Sequence, residues 1–311
     1  MAQPQKGICA EPNLHSVFLM LNVVEDDDAT MRRKLADILA LFDYYDSEHY
    51  EAMVSGVIAI GSGYWLELYP GLLPIELSPF PDMHCDDRHA PATPADLFIQ
   101  VRADRADICH AMATDIFDLL QEQVELVEQI KGFRYLDGRD LTGFVDGTEN
   151  PKGLHKLDVA IVGDEDPDFA GGSYLHIQRY RHLMKRWNKV EVTDQEQIIG
   201  RTKEDNVEFD SADKAPFAHT KRTSLKDEQG QSIEMLRQSM PYGDLKVQGL
   251  YFISCAASPK PFTKMLHSMI YGDENGVYDR LLDFTVAETG AAFFAPSATF
   301  IKRQAKTSMS A

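Results

Sequence analysis

Cysteine is scarce. Four occur in the 311-residue chain, at Cys9, Cys85, Cys109 and Cys255, and no two form a CxxC pair. Scattered thiols in a chain of this length exclude a disulfide scaffold and a paired-cysteine zinc ribbon. Basic charge is also short: 31 Lys and Arg stand against 49 Asp and Glu, a net charge of −18. That balance argues against nucleic acid or an anionic membrane as partner, and leaves room for an anionic ligand in a local basic pocket. No apolar run reaches the roughly 18 residues that a membrane span needs. Residues 1–14 hold neither an apolar leader core nor a twin arginine, so the expected location is the cytoplasm, without processing. HExxH is absent among the ten histidines, which excludes a zincin.

What is present suits a globular protein of one large domain or two, with 44% hydrophobic and 26% charged residues. Residues 1–14, polar and with two prolines, read as a loose arm. Residues 15–24 read as a buried strand. The acids at 25–28 suit the start of a helix over 29–42, with Met31, Leu35, Ile38, Leu39 and Phe42 on one face. Strands follow at 53–60, 96–102 and 124–136, with an amphipathic helix at 106–122 and a proline-rich loop at 70–94. This β-α-β-β-α-β order is the ferredoxin-like pattern, an antiparallel sheet with helices on one face. The second half repeats it less cleanly. Strands are expected at 173–181, 233–239 and 249–255, and helices at 194–200, 261–270 and 281–289. Residues 291–298 close the half and 302–311 form a polar tail. The expected architecture is α+β, two ferredoxin-like halves over residues 1–140 and 141–311.

One stretch near the middle stands out, Gly143-Phe144-Val145-Asp146-Gly147-Thr148-Glu149-Asn150-Pro151. Two glycines bracket a single acid, and Thr148, Asn150 and Pro151 mark a turn. Taken alone it is an Asp-Gly turn or a site where an acid is held close to a ligand. His219 sits in a partly apolar patch within a charged region, and is either a surface histidine or a ligand. Arg237 lies on an expected strand, sharing a face with Ser239; it needs an anion or a salt-bridge partner. The run from His84 to His89 is rich in metal-ligand types but has no second pair at zinc spacing, so it reads as a solvated loop.

The stretch Gly143 to Gly147 matches the GxxDG signature of the dye-decolourising peroxidases, a family of haem enzymes. The downstream order is also similar: Ile199-Gly200-Arg201, then His219, then Leu236-Arg237-Gln238-Ser239, then Gly249-Leu250-Tyr251-Phe252. The intervals resemble the bacterial B subgroup, and the resemblance runs from about His15 to Ser297. It implies haem b in the C-terminal half, with His219 as the proximal ligand to the haem iron and Asp283 as the acid behind it. Asp146 and Arg237 become the distal pair. Ser239 takes a position that holds asparagine in some relatives. Arg201 and His155 are implied as partners of the propionates, and Phe252, Phe262, Met265 and Met269 as the lining of the haem face. The implied activity is reduction of hydrogen peroxide through a ferryl intermediate, with one-electron oxidation of phenolic or dye-like small aromatic donors. The alternative is a haem-handling protein, a carrier or one that releases iron from haem, with incidental peroxidase activity. Homo-oligomers fit the resemblance.

Overall fold

Residues 15–24 do form a strand, and it lies in the middle of one continuous sheet. The protein is described by a computed structural model covering residues 2–25 and 27–307. Its strands are β1 (His15–Val23), β2 (Ser55–Gly61), β3 (Met83–Cys85), β4 (Arg88–Ala90), β5 (Leu97–Ala103), β6 (Val124–Phe133), β7 (Ser173–His182), β8 (Leu236–Arg237), β9 (Met240–Gly243), β10 (Gln248–Ala256), β11 (Thr285–Ala287) and β12 (Ala291–Ala295). Strands β3 and β4 form a hairpin of their own. The other ten make one sheet in the order β11-β7-β12-β2-β5-β1-β6-β9-β10-β8. Strand β7 also pairs with β10, which closes the sheet into a barrel.

The fold is therefore a mixture of helices and an antiparallel sheet, but not two separate sheets. The first-half run β2-β5-β1-β6 meets the second-half run β12-β7-β10-β9 at both ends. Phe293 and Phe294 of β12 pair with Gly61 and Ile60, and Gly132 of β6 pairs with Tyr242 of β9. An open edge leaves a row of backbone donors and acceptors unpaired, and closure removes that cost.

Period-two alternation sorts the side chains into two cores. Phe18, Met20, Phe98, Leu175, Ile177, Tyr251, Ile253 and Phe293 fill the barrel interior. The Phe18 and Tyr251 rings stack there at 4.5 Å. Leu19, Leu21, Ile58, Ile99 and Val101 point outward against Met31, Leu35 and Ile38 of the helix Asp28–Glu48 and against Ile108, Met112 and Ile116 of the helix Ala106–Leu120. Asp27 caps the first of these helices, accepting from Thr30 N at 2.9 Å. Asp26, counted with the expected acidic start, lies outside the described residues.

Several expectations are corrected. The N-terminal arm is not loose: the Gln5 side chain is buried and bonds both the N–H and the C=O of Ile58. Residues 281–289 are not a helix. A short 3-10 turn, Arg280–Asp283, leads into β11, because Thr285, Val286 and Ala287 pair with the edge of β7. The first part of the expected polar tail, residues 302–307, is the end of the helix Ala298–Thr307, and Ala305 within it is buried; residues 308–311 lie outside the described residues. The expected strand at 233–239 shortens to β8, with β9 following it. Within the proline-rich loop, His84 and His89 face each other across the β3–β4 hairpin. No helix among the described residues is long and apolar enough to cross a membrane.

Candidate haem site

Strand alternation also builds the site. Gln178, Tyr180 and His182 of β7 and Leu250 and Phe252 of β10 point away from the barrel interior and line a cavity of about 370 Å³. The helix Lys260–Tyr271 covers one side with Phe262, Met265, Leu266 and Met269, a spacing that puts all four on one helical face. The lining includes the expected Phe252, Phe262, Met265 and Met269. It also holds Asp146, Arg201, His219 and Arg237.

His219 opens the helix His219–Thr223, a segment for which the sequence suggested no element. Its Nδ1 lies 2.6 Å from Asp279 Oδ2, and Asp279 is fully buried. The other oxygen of Asp279 accepts from Leu281 N at 2.9 Å, which fixes the carboxylate at the start of the 3-10 turn. The acid behind His219 is thus Asp279 and not Asp283. The turn carries Asp283 away from the imidazole: its Oδ1 accepts from Tyr278 OH at 3.0 Å, and its Oδ2 lies 3.2 Å from Arg280 Nε. With Nδ1 committed to Asp279, Nε2 is the nitrogen left for a metal.

Gly143 and Gly147 adopt φ of 92° and 72°, a region that side-chain-bearing residues resist. Between them Asp146 turns toward Arg237, Oδ1 to Nη1 3.7 Å. Asp146 Oδ1 also accepts from Gly147 N at 2.7 Å. The three side chains that follow tie the loop down. Thr148 bonds Asn206, Glu149 meets Arg201, and Asn150 bonds the main chain of Arg237.

Other expected residues stand differently. Ser239 does not line the cavity. The strand is interrupted between β8 and β9, and the Ser239 hydroxyl accepts from Ile253 N at 3.2 Å, taking the place of a ladder carbonyl. His155 is also outside the lining. It is half exposed and lies 2.8 Å from Glu234, whose hydrogen bond and charge raise the imidazole pKa. Arg201 is largely buried and already engages Glu208 and Glu149 at 2.7 and 3.1 Å.

The sequence reading missed Asp140, His182, Thr142 and Thr285. His182 Nε2 lies 3.0 Å from Asp140 Oδ1, and its Nδ1 lies 2.9 Å from Thr285 Oγ1. Asp140 Oδ2 accepts from both N and Oγ1 of Thr142. Burial alone would raise the Asp140 carboxyl, but His182 and the Thr142 bonds outweigh it and hold the pKa below the usual value. Asp140 N donates to Phe144 O at 2.8 Å, so this network anchors the loop that carries Asp146. No local signal marks these residues, because the partners are up to 145 positions apart along the chain (Asp140 to Thr285).

The fold is a closed α+β barrel with a carboxylate-backed histidine and an Asp–Arg pair in one largely apolar cavity, an arrangement suited to a cofactor held by the histidine. The chain belongs to the Dyp-type peroxidase family. It matches the family model "Dyp-type peroxidase, N-terminal" over residues 5–134 and "Dyp-type peroxidase, C-terminal" over residues 137–300. It is 40% identical over 301 residues to the dye-decolorizing peroxidase of Mycolicibacterium paratuberculosis, covering 96% of this chain and 85% of the relative. Among solved structures, a dyp-type protein from Shewanella oneidensis is 50% identical with a TM-score of 0.96, covering 97% of this chain and 99% of that one. DyPB from Rhodococcus jostii RHA1 is 37% identical with a TM-score of 0.93, covering 96% and 97%. A variant of that protein has been solved in complex with heme.

Proposed function

We infer that this chain is a haem peroxidase that reduces hydrogen peroxide and oxidises phenolic or dye-like donors in one-electron steps. The observation that carries the reading is the pairing of His219 with the fully buried Asp279 in the cavity that also holds Asp146 and Arg237. The residues fit haem b. His219 would hold the iron through Nε2, and Asp279 would orient the imidazole through Nδ1. Phe252, Phe262, Met265 and Met269 supply apolar contact to the macrocycle. Arg201 suits a propionate, although two glutamates already share it. Bound there, haem would supply redox-active iron able to give peroxide two electrons and regain them singly from a donor.

The protein's own part is proton handling and charge. Asp146, as a carboxylate, accepts the proton from one peroxide oxygen and returns it to the other, which leaves as water. Arg237 remains a cation and stabilises the negative charge that grows on the departing oxygen. Ser239, with its hydroxyl turned to β10, contributes to the strand rather than to peroxide. The haem-handling alternative is not favoured, since the relatives are named as peroxidases.

The same reading extends to organisation. Each run of four strands follows the ferredoxin-like order, which supports two such halves, residues 1–140 and 141–311, fused at both sheet edges with the haem in the second. A homo-oligomer in the cytoplasm is part of the same proposal, and a relative, 39% identical, is an encapsulated DyP-type peroxidase from Mycobacterium smegmatis.

The test is the ultraviolet–visible spectrum of protein purified with haem, before and after one equivalent of peroxide. A Soret band that shifts on peroxide addition and returns with a phenolic donor is expected. Arg237→Leu should keep the band and lose most of the peroxide-dependent oxidation; His219→Ala should lose the band. Wild-type turnover in Arg237→Leu defeats the distal assignment.

A further inference from the structure

Strand β8 consists of Leu236 and Arg237, and Arg237 faces Ser254 of β10 on one flank. It ends the sheet, so no strand among the described residues covers its other flank. The side chain of Asn150 occupies that flank. Its Oδ1 accepts from Arg237 N at 3.0 Å, and its Nδ2 donates to Arg237 O at 2.8 Å. The same Oδ1 lies 3.5 Å from Arg237 Nε. A primary amide is the side chain that offers one acceptor and one donor side by side, so it can copy the bonding of a neighbouring strand. Asn150 is itself held: its N donates to Gly147 O at 3.0 Å, and the next residue, Pro151, is buried.

We propose that Asn150 is a positioning residue that sets where the Arg237 guanidinium stands relative to Asp146. Asp146 and Asn150 share one short loop, and Arg237 comes from a different part of the fold. Beside the Asp146–Arg237 ion pair, the amide is what bonds that loop to the Arg237 backbone. It fixes the arginine backbone on both its polar groups and limits the swing of the side chain at Nε. This rests on the distal roles of Asp146 and Arg237 argued above.

The test uses the haem-loaded protein. Asn150→Ala should slow peroxide reduction by about tenfold, the scale expected when a reacting group loses its orientation. Its affinity for fluoride, a small anion that depends on the same hydrogen-bond donor, should fall alongside. The thermal midpoint should drop modestly, as two backbone bonds to Arg237 are lost, while donor KM and the Soret band stay close to wild type; a purely structural role would leave the fluoride affinity of the folded protein unchanged. Asn150→Asp keeps an acceptor for Arg237 and should fall between Ala and wild type; it carries the comparison if the alanine variant does not fold. In an Arg237→Leu background, Asn150→Ala should add no further loss. Wild-type peroxide rate and fluoride affinity in Asn150→Ala, beside a slow Arg237→Leu, would overturn the proposal, and so would losses that multiply in the double variant. A fast Arg237→Leu would instead bring down the distal reading and this inference with it.

Discussion

Asp279 caps and Asp283 ends a single 3-10 turn, and only Asp279 reaches His219. Asp279→Asn should keep the shape but lose the charge behind the imidazole. The reduction potential of the haem-loaded protein is expected to rise, and turnover to fall by roughly tenfold or more. Asp283→Asn should leave both near wild type, and spectroelectrochemical titration of the pair decides the assignment. A second residue-scale consequence concerns His176. It is 4% exposed and stacks on Phe262 at 4.2 Å, and burial depresses its pKa from 6.5 to about 3. The unfolded chain protonates this ring at a higher pH than the folded one. Unfolding therefore takes up a proton between these values, and stability falls as pH drops from about 6.5 toward 3. At pH 5 the loss is roughly 2 kcal/mol. His176→Phe should remove that share, narrowing the gap between urea unfolding free energies at pH 7 and pH 5.

At the scale of elements, the sequence was most legible where a period persisted. The strands near residues 15, 96 and 173 and the helix from Ala106 were readable because each buries one face or both. The helix His219–Thr223 was not, because five residues carry too little period to register. Residues 281–289 were misread because an apolar stretch without a clear period fits either a helix or a strand, and only the free edge of β7 decides. Another contact between elements is testable. The helix Val192–Ile199 ends at Gly200, where an added Cβ would stand 2.2 Å from Thr220 Oγ1 on the His219 helix. Gly200→Ala should cost roughly 2 kcal/mol and lower haem occupancy, measured by thermal melting and by the Soret-to-protein absorbance ratio.

For the whole molecule, the barrel interior matters more than the division into halves. Phe98 and Phe293 meet at 5.8 Å inside it, so residues 1–140 and 141–311 share the barrel core. Unfolding should therefore be a single transition. Trp65 lies in the first half but packs on Phe169, Phe294 and Phe300 of the second, Trp187 packs on Phe144 and Phe284 within the second, and both are buried. Variants keeping one tryptophan each, Trp187→Phe and Trp65→Phe, should give coincident urea transitions by fluorescence. Phe293→Ala should shift both by the same roughly 3–5 kcal/mol. Separate midpoints would show that the halves are independent.

The sequence by itself determined the strand and helix periods, the acidic balance, the GxxDG turn and the order of Asp146, His219 and Arg237. These are local or ordinal properties, fixed by side-chain alternation and by which residue types tolerate a bend. Only the tertiary structure decided that two sheets close into one, that Asp279 rather than Asp283 stands behind His219, and that Ser239 and His155 lie off the cavity. It also brought Asp140 to His182 and Asn150 to Arg237. Each of these depends on which distant backbone is left with an unpaired edge or an unsatisfied polar group, and that balance exists only once the chain has closed on itself.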